Sequence, residues 1–399
     1  MLHLPAFQVD FDVKKSIVLL GLAGSHSYGT NGPTSDIDYR GIFIPPIEYY
    51  LDPFLNIEQL IWRSKDGIDY VQERSAEIAN VDQEGTIFAL RKFIGLAAKC
   101  NPNVIETLFI DDSHVEITTP IGEALRARRD LFLSQRAGKS FCGYAMSQLR
   151  RIETHRRWIA NPPDHEPTRD EYSLPPIDKI NPDQKNAAEA FIRRNMLVMA
   201  PWLLDADNQH KEAFWEGVIN LIALYLEDPE MEFQEARDNW MLIEANFAER
   251  TTAKLSFDSN FMEFLRNEKK WAQARSDWDK YHHWLRTRNP ARAEIEARYG
   301  YDCKHAMHLV RLLRMGTEIL TQGKLIVYRP DREELIQIRN GSWPYDELVE
   351  WAKAGVDNIY GLIREKKTVV PKDPDQAALE TLNREIVEQY YKFNYSDTR

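Results

Sequence analysis

Cysteine is scarce in this chain: Cys100, Cys142 and Cys303 stand far apart and no CxxC pair occurs. An odd, scattered set argues against a disulfide framework and offers no zinc-ribbon spacing. Long apolar runs are also missing. No stretch of about 18 apolar residues appears, and the first residues show no charged segment leading into an apolar one. Neither a membrane span nor a secretory leader is expected, and the chain reads as a soluble, cytoplasmic protein. Positive charge is outnumbered, 51 Lys and Arg against 62 Asp and Glu, for a net charge of −11. That balance argues against coating duplex nucleic acid by bulk electrostatics, while a local basic groove stays open. No internal repeat of solenoid period is found. With 43% apolar and 11% aromatic residues a sizeable core can form, and 399 residues exceed one average domain.

The chemistry concentrates in residues 16–46, SIVLLGLAGSHSYGTNGPTSDIDYRGIFIPP. Residues 16–22 are β-branched and aliphatic and read as a buried strand, ended by Gly24 and a polar, Gly-rich turn. Asp36 and Asp38 then precede a second apolar run, 39–44, stopped by Pro45 and Pro46. Positions i and i+2 of a strand project from one face, about 6–7 Å apart, so both carboxylates point the same way. Two like charges held there repel unless a cation sits between them, and Mg²⁺ takes this kind of ligand together with phosphate oxygens. Gly24 and Ser25 lie at the expected start of a short helix, 25–28, where free amides and a hydroxyl can receive a phosphate. An Asp-x-Asp or a Gly-Ser alone is common in turns; the order strand, Gly-Ser, polar turn, Asp-x-Asp, strand is far more specific.

The segment GSHSYGTNGPTSDIDYRGIFIPP resembles the signature of the DNA polymerase β-like nucleotidyltransferase superfamily, in particular its predicted phage- and RNA-ligase-associated branch. The resemblance implies a third carboxylate on a neighbouring strand. Glu84 and Asp82, in NVDQEGTIFALRKF, share strand parity and are both candidates. The resemblance favours the acid shortly before the aromatic-x-Leu-Arg-Lys-Phe run, here Glu84, although the family usually has Asp there. LRKFIGLAAKCNPNVIETLF is similar to a second block of the same branch, and ARYGYDCKHAMHLVRLL to its Tyr-Asp-x-Lys-His helix.

Elsewhere, residues 55–63 and 68–88 can supply further strands, 86–99 carries a helical apolar repeat, and 116–158 reads as helical. Residues 141–158 form the most basic helix, on which Tyr144, Gln148, Arg151 and His155 share a face. Gln148 and Arg151 are candidates for contact with a triphosphate or an acceptor strand. Six prolines among charges mark 161–183 as a loop. Helical patterns follow at 185–199, 212–226, 231–249 and 261–286. Asp302 is an expected N-cap for a helix running to Gly323, whose first turns carry Lys304, His305 and His308. Lys304 and His305 are expected substrate contacts, whereas His305 and His308 lack a third ligand nearby, so no zinc site is expected. The tail 390–399 is expected to fray.

The expectation is therefore an α+β protein, with a small mixed β-sheet nucleotidyltransferase domain at 1–115 and a larger helical domain at 116–399 closing the cleft. It would transfer a nucleoside monophosphate from an NTP or dNTP to an acceptor hydroxyl, RNA and DNA ends being candidate acceptors, with release of pyrophosphate. Asp36, Asp38 and Glu84 are the expected catalytic residues, and with Asp82 the candidate ligands of Mg²⁺ or Mn²⁺. Gly24, Ser25, Arg40, Gln148, Arg151, Lys304 and His305 are expected on the nucleotide. The alternative is a catalytically degenerate nucleotide-binding sensor or antitoxin-like partner.

Overall fold

The computed structural model describes residues 2, 4–33, 35–71, 82–174, 259–288 and 290–395. The helical patterns expected at 185–199, 212–226 and 231–249, and the end of the proline-rich loop, lie outside the described residues. The chain divides into two compact units, Met1–Asn161 with Asn289–Arg399, and Pro162–Arg288. This division falls elsewhere than the 115/116 boundary expected from sequence, because the helices after residue 116 build the same core as the sheet.

In the first unit, α1 (Val13–Ser16) leads into β1 (Ile17–Ala23), α2 (Gly24–Tyr28), β2 (Ile37–Phe43), α3 (Glu48–Leu51), β3 (Gln59–Lys65), β4 (Ile68–Val71) and β5 (Gln83–Ala89). Then come α4 (Leu90–Ala98), α5 (Pro102–Ile105), β6 (Val115–Thr118), α6 (Pro120–Arg126) and α7 (Gln135–Ala160). The six strands form one sheet in the order β4-β3-β5-β2-β1-β6, with β2 and β5 parallel and the other neighbours antiparallel. Two stretches expected to be helical are strand. Residues 86–89 pair with Arg40–Phe43 as the end of β5, and 116–118 pair with β1 as β6. Cross-strand burial of Ile87 and Phe88 outweighs the local helical repeat there. The β3–β4 hairpin turns on Asp66 and Gly67, both at positive φ, as a two-residue hairpin of this twist requires.

Alternation along the strands assigns the two faces of the sheet. Leu20, Tyr39, Phe43, Leu60, Trp62 and Ile87 pack on one side, covered by the N-terminal segment through Phe7 and Phe11. Leu19, Ile42 and Phe88 point to the other, where the helices lie.

The helices on that side include α7, capped by the Ser134 hydroxyl, and α10 (Cys303–Gln322), capped by Asp302 and ended by Gly323 in the left-handed region. Gly138 sits against Leu320, so α7 and α10 approach closely. The second unit contains α8 (Ser259–Thr287), and α9 (Pro290–Tyr299) precedes α10 in the first. The first unit then ends in α11 (Arg332–Arg339), α12 (Tyr345–Arg364) and α13 (Gln376–Tyr395). Each large apolar side chain buried in this core contributes about 1.5–3 kcal/mol. In the second unit, α8 meets a short turn of helix at Asp170–Tyr172, with the Trp271 indole donating to Pro167 O at 3.3 Å. No described helix is long and apolar enough to cross a membrane.

Candidate active site

Register and parity together place the acids. Asp38 pairs with Glu84 across β2–β5, and Glu84 pairs with Arg63 across β5–β3. All three lie on the helix-facing side, since Ile42 and Phe88 share parity with the acids and Trp62 has the parity opposite to Arg63. Asp36 has the same parity just before β2 begins. The result is a lateral row, Asp38, Glu84 and Arg63, with Arg63 Nε 3.2 Å from Glu84 Oε2.

Asp82 takes another role. Its Oδ2 accepts the Asp66 amide at 2.6 Å, and its backbone joins Ser64 and Ile37, so it ties the β3–β4 hairpin to the start of β5. Of the two acids open at the sequence level, Glu84 is the one set beside Asp38.

Burial pushes the Asp38 carboxyl up to about 6, and neighbouring Glu84 adds to the rise. Arg40 and Lys304 pull it down, and Asp36 raises it further. The protonated form is favoured because carboxylates are crowded into a partly dry corner. A divalent cation relieves the same crowding, and the donors are all oxygens, so the residues fit a hard cation.

The Gly24 turn meets this row directly. β1 ends opposite Asp38, with Ala23 its partner, and Gly24 follows at φ +59°. A Cβ on Gly24 would fall on Asp38 Oδ2, so only glycine lets the backbone pass here. Ser25 comes next, partly exposed, with its carbonyl accepting the Thr30 amide at 2.9 Å. The Ser27 hydroxyl donates to Gly24 O at 2.9 Å and steadies the turn. Arg40, two residues beyond Asp38 on the same face, donates from Nη1 to Asn103 O at 3.1 Å.

Beneath the turn lies a buried ionic group that sequence reading did not identify. The Tyr28 hydroxyl donates to Glu106 Oε2 at 2.6 Å, and Arg311 Nη1 donates to Glu106 Oε1 at 2.7 Å. The Arg311 guanidinium also lies 3.7 Å from the Tyr28 ring centroid. Glu106 and Arg311 are too far apart in sequence for any spacing rule to pair them. Desolvation, and next the Arg311 charge, drive neighbouring His308 well below its ordinary value and favour its neutral form.

The α10 residues separate into two directions. Lys304 acts on Asp38 through its charge. His305 turns towards α7, where its Nδ1 lies 2.6 Å from Gln148 Oε1. Gln148 and His305, both expected on the nucleotide, are thus bonded to each other. Arg151 is exposed on α7, three residues past Gln148.

Neither a curated protein nor a solved structure matches the chain. Residues 3–160, which contain the whole sheet, the acid row, the Gly24 turn and α7, match the model of a family described as the RNA repair pathway DNA polymerase beta family. Over that segment the chain is similar to the polymerase β-like nucleotidyltransferases.

Proposed function

We propose that this protein is a metal-dependent nucleotidyltransferase, moving a nucleoside monophosphate from a triphosphate onto an acceptor hydroxyl with release of pyrophosphate. The observation that carries the reading is the pair Asp38 and Glu84, in register on neighbouring parallel strands, with the Gly24 turn against the same Asp38 carboxylate. Asp36, Asp38 and Glu84 would hold Mg²⁺ or Mn²⁺. Such ions lower the pKa of an attacking hydroxyl and neutralise charge on the leaving oxygens. The chain's own residues bind and orient. Backbone amides of Gly24 and Ser25, with the Ser25 hydroxyl, receive the terminal phosphates, and Lys304 and Arg40 add positive charge beside them. Arg151, exposed on α7, is the proposed contact for the acceptor strand. The family description, which names an RNA repair pathway, supports an RNA end as the acceptor.

The test is incubation of the full chain with α-labelled triphosphates, Mg²⁺ and RNA oligomers carrying free or blocked ends. Label should pass to the free-ended RNA, and Asp38→Ala should lower transfer by about 10³-fold or more. A second reading, a nucleotide binder without catalysis, is favoured by one contact: Arg63 holds Glu84 at 3.2 Å and competes for the third carboxylate. Retained nucleotide binding with no transfer to any acceptor would establish that reading and sink the first.

A further inference from the structure

A second set of ligand atoms converges where α7 meets the first turn of α10. Asp302 is fully buried, and its Oδ1 accepts the His305 amide at 3.0 Å as the helix cap. Its other oxygen, Oδ2, faces two imidazoles, with His155 Nδ1 at 3.3 Å and His305 Nε2 at 3.5 Å. The three ligand atoms lie within 4.8 Å of one another. His305 Nδ1, at 2.6 Å from Gln148 Oε1, must carry the proton of that hydrogen bond. In the neutral ring Nε2 then presents a lone pair to a carboxylate oxygen, two acceptors face to face. A cation between them resolves the conflict.

The two imidazole–carboxylate spacings, 3.3 and 3.5 Å, are those of a tetrahedral site. Ligands about 2.0–2.1 Å from a tetrahedral ion lie about 3.3–3.4 Å from one another. Two imidazoles and one carboxylate suit a borderline transition metal, unlike the all-oxygen row at Asp38. Gln148 serves as the outer partner that ligating histidines usually have, fixing ring orientation and tautomer. The third ligand that sequence reading found lacking beside His305 comes from α7, and His308 takes no part in the group.

We propose that His155, Asp302 and His305 bind one zinc-class divalent ion, with Asp302 monodentate and a fourth position open to water. The ion pins α7 to the start of α10, the turn from which Lys304 acts on Asp38, so it has a positioning role at that corner. The site does not depend on the nucleotidyltransferase reading.

The full chain is produced with zinc in the medium, dialysed against magnesium buffer, and its metals are counted by plasma mass spectrometry. About one zinc per chain is expected in the wild type and in Asp38→Ala, which removes a carboxylate of the other site only. His155→Ala should retain less than about a tenth of that. Another first-row ion at the same stoichiometry and with the same sensitivity supports the site equally. X-ray absorption at the zinc edge of the wild type requires no substitution and should show two imidazoles with light-atom donors. A wild type without any transition metal, undiminished zinc in a folded His155→Ala, or a spectrum lacking imidazole scattering overturns the proposal. None of these readouts uses a nucleotide, so this site and the transfer reaction fail or stand separately.

Discussion

Asp38 is the residue on which most of the physics of the acid row converges. A carboxyl whose folded pKa lies near 6, against an ordinary 3.8, favours the folded state while protonated; that contribution fades as pH rises from 3.8 through about 6. Asp38→Asn should therefore stabilise the protein in magnesium-free buffer by about 1–3 kcal/mol above pH 7 and leave it unchanged near pH 4. Thermal melts across that range check this, and a loss of stability at pH 8 would refute the crowding. The same shift makes protons compete with divalent ions. Mg²⁺ affinity measured by titration calorimetry should fall about tenfold per pH unit below 6. Gly24 acts through shape. Gly24→Ala brings a Cβ onto Asp38 Oδ2 at φ +59°, so transfer should drop about 10²-fold while the melting curve moves modestly.

At the scale of elements, joints between helices and strands carry the load. The Tyr28, Glu106 and Arg311 group ties α2, the turn at Glu106–Phe109 and α10 together, with Arg311 4% and Glu106 8% exposed. Arg311→Met leaves a buried carboxylate and a buried hydroxyl without their cation and should cost about 3–5 kcal/mol in urea unfolding. Glu106→Leu with Arg311→Met removes both charges and should recover much of that loss; a double variant as unstable as the sum of the singles would refute the coupling. Within the sheet, Gly85 lies under the Trp62 indole, where no Cβ fits. Gly85→Ala should lower stability by about 1–3 kcal/mol and displace neighbouring Glu84, seen as lost transfer beyond what the melt accounts for.

For the whole molecule, net charge sets how an acceptor can be held. At −11 the chain gains little from spreading phosphates over its surface, so the proposed RNA acceptor should touch only a few basic side chains near the acid row. Binding to a free-ended RNA should weaken with salt at a log–log slope of about −2 or shallower, and a blunt duplex without a free end should compete poorly. A steep slope would mean an extended basic surface instead.

The amino-acid order alone determined what is local. Strand, Gly-Ser turn, Asp-x-Asp and strand are contiguous, and the period of two on β2 already placed Asp38, Arg40 and Ile42 on one face, with Asp36 at the same parity just before the strand. The Asp302 cap and the Gly323 stop were equally legible, because capping is a matter of a few adjacent residues. What lay beyond the sequence depends on register and on helix packing. Glu84 rather than Asp82 stands beside Asp38 because β2 and β5 pair in one alignment out of several that parity allows. His155 reaches Asp302 and His305, and Arg311 reaches Glu106, only because α7, α10 and the sheet enclose one core. Spacing along a chain specifies which side chains share a face; only the docking of separate faces decides which of them meet.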